Sequence, residues 1–196
     1  LFRSTLYASP IMERSNRIVQ QHAYGPMAKT FHWLTMALLI VQYAIGWIMP
    51  GVKRGMTPDS LMNLHISIGA VILALVLARF LWRLFHHVPP EPGLTRWQNL
   101  GATFLHLALY ALIIVTTLTG WFYASMRGWT LSIFGVVPLP ALVAEGSRFG
   151  RVVGELHQVL IWVLLVAILL HVAAALAHLV VYRDRVMQRM LPGLAD

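Results

Sequence analysis

Four long apolar runs, separated by short polar or proline-bearing stretches, divide this chain. The first extends from about Thr30 to Met49 and stops at Pro50-Gly51. The second extends from about Leu61 to Leu84, before Val88-Pro89-Pro90-Glu91-Pro92, which cannot continue a helix. The third covers about Leu100 to Ala124, and the fourth about Val152 to Tyr182. Each run meets or exceeds the roughly 20 residues an α-helix needs to cross a hydrocarbon layer. Apolar residues occupy every side of each run, unlike the single stripe of a soluble amphipathic helix. The pattern predicts an all-α fold, an integral membrane four-helix bundle over residues 30–192. Residues 1–29 are read as a polar N-terminal extension, a candidate for disorder. They carry Pro10 and Pro26 and no apolar core, so no signal peptide is expected.

Composition sharpens this picture. The 196 residues are 58% hydrophobic and 11% charged, against about 25% charged in soluble domains. There is no cysteine, which excludes disulfides, thiolate-held iron–sulfur clusters, cysteine zinc sites and thioether-attached haem. The net charge of +8 is read as arginines flanking spans, not as a nucleic-acid surface, and the partner is the lipid bilayer. Of the 15 Lys and Arg, Lys53, Arg54, Arg127, Arg148 and Arg151 fall on the side opposite the termini. The larger share lies on the side of the termini and predicts that both are cytoplasmic. The long connection from Ser125 to Gly150 holds Trp129, Leu131, Ile133, Phe134 and Val136, so it is expected in the outer interface, over the bundle end.

The chemistry lies in the histidines. His157 and His171 are 14 positions apart on the fourth run, with no charged residue between them. Fourteen residues make close to four turns and rise about 21 Å, so both imidazoles share a face at two depths. Depth pairs His171 with His32 on the first run, at the inner level, and His157 with His65 on the second, at the outer level. Two stacked haem groups, each held by two imidazoles, need this arrangement. A zinc or copper site and a proton relay are the alternatives, although the seven acids all lie at span ends or outside the spans. Arg79 follows His65 by the same step, on the inner level, where a haem propionate needs a cation. Gly46 stands opposite an outer ligand and Gly69 one turn after His65, both giving clearance for a flat macrocycle; Gly120 is read as ordinary helix packing. His22, His86, His87 and His106 receive no role.

The chain resembles the bacterial cytochrome b561 family. The carriers are Phe31-His32-Trp33, Leu64-His65-Ile66-Ser67-Ile68-Gly69, Arg79 and Arg83 leading into His87-Val88-Pro89-Pro90, and above all Leu170-His171-Val172-Ala173-Ala174-Ala175-Leu176-Ala177-His178. Tyr182-Arg183-Asp184 and Arg189-Met190-Leu191-Pro192 continue it. The resemblance implies two b-type haems with His32, His65, His157 and His171 as iron ligands. It implies electron transfer between the outer face and ubiquinone in the bacterial inner membrane. The near relatives it resembles oxidise superoxide, for which Lys53, Arg54, Arg148 and Arg151 are the candidate entrance. His178, with Arg79 or Arg83, is the candidate quinone contact. The second reading is a generic electron conduit serving quinol or a dehydrogenase; a homodimer and a periplasmic protein are further candidate partners. A nonredox bundle would be colourless.

Overall fold

The computed structural model describes residues 24–53, 55–86 and 93–191. Four helices long and apolar enough to cross a membrane form the body. They are α1 (Pro26–Ile48), α2 (Ser60–Phe85), α3 (Arg96–Met126) and α4 (Arg148–Ala177). A two-stranded hairpin, β1 (Ser132–Ile133) and β2 (Val137–Pro138), lies between α3 and α4, with Ser132 opposite Pro138.

Local chemistry sets the ends. Pro26 occupies the first turn of α1, where its missing N–H costs nothing. Asp59 caps α2 by accepting from Met62 N at 2.8 Å. Thr95 and Gln98 form a reciprocal capping box at α3. Ser147 accepts from Gly150 N at the start of α4. Three of the helices run longer than the apolar runs alone suggest, because these caps lie outside them. One consequence corrects the reading of residues 1–29: Pro26–Lys29 belong to α1. Arg148 and Arg151 likewise stand in the first turn of α4, not before it. The α geometry of α4 stops at Ala177, and His178–Tyr182 form a π-helical turn ended by Arg183 in the left-handed conformation, φ 52°. Single π turns often mark functional positions.

The helices pack in chain order, α1 on α2, α2 on α3, and most extensively α3 on α4. The last contact depends on Gly150 and Gly154, one turn apart. A Cβ on Gly154 would lie 2.1 Å from Tyr123 Cδ2, and one on Gly150 2.6 Å from Met126 Cβ. Small residues at this spacing let two backbones approach inside a bilayer. The core is thin, built on Ile45, Ile68, Ile72, Val76, Tyr110, Ile113 and Leu164. Outward faces carry Ile40, Phe104, Trp162 and Val166, all more than half exposed. The bundle is thus apolar outside as well as inside, which suits lipid.

Both ends of the bundle are closed by side-chain hydrogen bonds to backbone. At the hairpin end, buried Ser67 accepts from Phe134 N at 2.9 Å and donates to Asn63 O, tying the β1–β2 loop to α2 two residues after His65. Trp129 Nε1 donates to Met56 O, and Leu131 is buried beneath the loop. At the terminal end, Trp33 Nε1 donates to Met190 O at 2.8 Å and draws the C-terminal segment across α1.

Candidate functional site

The antiparallel course of the helices puts one pair of imidazoles near each end. His32 and His171 have ring centroids 6.2 Å apart, near the terminal end. His65 and His157 are 6.4 Å apart, nearer the hairpin end. The rings in each pair are steeply inclined to one another, at 73° and 90°.

The hairpin-end pair lines an apolar cavity of about 200 Å³, together with Gln42, Tyr43, Gly69 and Gly120. His157 Nδ1 lies 2.8 Å from Thr116 O. A carbonyl only accepts, so Nδ1 carries the proton and Nε2 keeps its lone pair. Tyr43 Oη donates to Ile161 O at 2.6 Å and joins α1 to α4 along this cavity. Gln42 Nε2 donates to His65 O. Three polar atoms here, Gln42 Oε1, His65 Nδ1 and Thr116 Oγ1, are buried without a partner among the described residues.

Gly46, Gly69 and Gly120 all line this cavity. A Cβ on Gly120 would stand 3.0 Å from His157 Cε1. Gly120 therefore makes room for an imidazole and is more than ordinary helix packing. Gly46 faces His65 at a comfortable 3.7 Å, and Gly69 faces Gln42 Nε2 at 3.4 Å. The clearance at both is toward side chains.

At the terminal end Arg79 Nη1 donates to His32 Nδ1 at 3.2 Å, and its guanidinium lies 5.6 Å from the centre of the Tyr110 ring. It reaches the expected level, but its contact is the imidazole itself. His106, given no role from sequence, has its ring 5.3 Å from that of His171. It shares a second cavity, of about 280 Å³, with Arg79, Arg83, Tyr110 and Tyr24. Tyr110 follows His106 by four positions, so α3 presents both on one face; that periodicity was a usable signal. His178 Nδ1 lies 2.5 Å from Asp184 Oδ2. His86 stacks on Trp82 with centroids 3.7 Å apart.

Lys53, Arg148 and Arg151 are exposed at the hairpin end. Arg127 is held there, donating to Lys53 O and lying over the Tyr123 and Trp129 rings. Arg54, His22 and His87 lie outside the described residues.

Residues 23–193 match the model of the family described as prokaryotic cytochrome b561. The chain belongs to that family. It is 30% identical to cytochrome b561 homolog 2 of Escherichia coli K12, over 86% of this chain and 90% of that protein. It is 27% identical to the probable superoxide oxidase CybB of Yersinia pestis, over 86% and 96%. Cytochrome b561 homolog 1 of E. coli K12 is 25% identical, over 82% and 92%. As a cytochrome b561, the chain is a multi-pass protein of the bacterial inner membrane, and its family transfers electrons through haem b.

The side chains present fit that group. Imidazoles on opposite sides of one iron, each through a bond of about 2 Å, have ring centres about 6 Å apart, and both pairs match. Among the described residues no cluster of three His, Asp or Glu side chains is placed to hold a metal ion.

Proposed function

We propose that this cytochrome holds two b haems, one between His65 and His157 and one between His32 and His171, and carries electrons from superoxide to ubiquinone. The observation that supports this most is the pair of imidazole separations, 6.4 and 6.2 Å, at two depths of one bundle. With the termini cytoplasmic, as the Lys and Arg distribution favours, the His65–His157 pair faces the outer side. Haem b supplies one-electron exchange between ferric and ferrous iron.

The chain's own groups do the rest. Exposed Lys53, Arg148 and Arg151, with Arg54, raise the local concentration of an anion at the outer end. With both imidazoles of a pair committed to one haem, these residues would leave superoxide to give up its electron without binding the metal. The Thr116 carbonyl fixes His157 with Nδ1 protonated, which orients the ring and raises the basicity of Nε2. At the inner pair, iron held through His32 Nε2 would need Nδ1 protonated, so Arg79, which donates to that Nδ1 here, would have to be released from it. Two superoxide anions lose one electron each and leave as dioxygen. One ubiquinone takes both electrons and two protons to become ubiquinol. His178 is the proposed quinone contact: Asp184 accepts from its Nδ1–H, which leaves the Nε2 lone pair to accept from a hydroxyl of the quinol.

The test is turnover. Purified protein given a steady superoxide source and a short-chain ubiquinone is expected to form ubiquinol, with dioxygen released in a 2:1 ratio. Haem reduction by ubiquinol but not by superoxide would instead establish the conduit reading, in which a quinol or a dehydrogenase feeds an external acceptor.

A further inference from the structure

Lys29 is the odd cation of this molecule. It stands in the first turn of α1, three residues before His32, so both lie on one helix face. It is 6% exposed, and its Nζ is buried without a hydrogen-bond partner among the described residues. An ammonium removed from water needs a counter-charge. The positive end of the α1 dipole adds to that need, and the first turn of α1 contains no acid. The terminal end offers one described carboxylate, Asp184. Its Oδ2 is taken by His178 Nδ1 and its Oδ1 accepts from Val186 N. The other described acids, Asp59, Glu145 and Glu155, lie at the hairpin end. Lys29 is thus a buried cation one turn from His32, the ring that Arg79 reaches from α2.

We propose that Lys29 is the counter-cation for a carboxylate of the haem held by His32 and His171. This rests on the haem assignment made above. A b haem carries two propionates, and Lys29 and Arg79 supply two cations beside one ligand from two different helices. The carboxylate edge of the haem then faces the terminal end. A cation there also stabilises the added electron, so Lys29 raises the reduction potential of that haem alone.

The experiment is an optical redox titration of the purified holoprotein, with Lys29→Gln, Lys29→Met and Lys29→Arg. The two haem signals are assigned beforehand from variants lacking His157 or His171. The neutral variants are expected to lower the reduction equilibrium constant of the His32–His171 haem about tenfold, which is about 59 mV for one electron. The other haem should not move, and arginine should preserve the unsubstituted value. Unchanged potentials at full haem content overturn the proposal. So does an equal shift of both haems, or a change confined to the KM for quinone, which would place Lys29 on a quinone carbonyl. A wild-type protein with no haem at His32–His171 fails at the earlier step and is recognised by its haem count. If the neutral variants do not accumulate, Lys29→Arg carries the test by infrared difference spectroscopy with ¹³C-propionate haem. The labelled carboxylate band should shift between wild type and arginine variant; an unshifted band overturns the assignment.

Discussion

At Gly120 one added methyl group reaches the chemistry. Its Cβ would press on His157 Cε1 at 3.0 Å, while Thr116 O, one turn earlier on the same helix, holds Nδ1 of that ring. Overpacking of this kind typically costs about 1–3 kcal/mol. Gly120→Ala is therefore expected to weaken retention of the His65–His157 haem by about tenfold or more, read as haem per protein after purification. Gly101→Ala is the control on the same helix, since nothing lies within 4 Å of its Cβ position; equal haem content in the two would contradict this role. The histidine pairs were legible because depth follows from counting 1.5 Å per residue along an apolar run. The role of Gly120 was not, because it depends on which face α3 turns toward α4. Lys29 was hidden for a similar reason. Sequence shows a lysine at the edge of a span, and only packing shows that its ammonium is buried.

The α3–α4 contact dominates among the elements, and it rests on the absence of two side chains. Gly154→Leu would drive a branched side chain into Tyr123, already 2.1 Å from a bare Cβ. The helices must separate at the hairpin end, where the β1–β2 loop is tied down. A loss of about 1–3 kcal/mol is expected from overpacking, measured as a lower denaturation temperature in detergent, with the His65–His157 haem released first. Release of both haems together would mean that the bundle has no separate hairpin-end unit. The element types were readable from the apolar runs. The ends were less so: capping by Thr95 and Gln98 extends α3 into polar sequence, and the π turn at His178–Tyr182 continues an apolar pattern that looks like plain helix. Trp33 and Ser67, quoted as parts of motifs, have positional reasons. One anchors the C-terminal segment through Met190 O, the other the loop over His65.

For the whole molecule, the proposed direction of electron flow makes the hairpin end an anion-collecting surface. The second-order rate with superoxide should fall several-fold as ionic strength rises through 0.1 M, where the screening length is about 10 Å. Replacing Arg148 and Arg151 by glutamine should lower the low-salt rate and leave haem spectra unchanged. A rate insensitive to salt and to both substitutions would assign these residues to lipid headgroups. Arg127 serves structure, through Lys53 O and two aromatic rings, which the charge pattern alone did not reveal. The central claim is two haems held by two imidazole pairs. Its most direct measurement is haem per chain, by pyridine haemochrome, for wild type, His157→Ala and His171→Ala. The account predicts about two for wild type and about one for each variant, with different signals lost, because each pair holds one iron. One haem in the wild type, or the same signal lost in both variants, would contradict it.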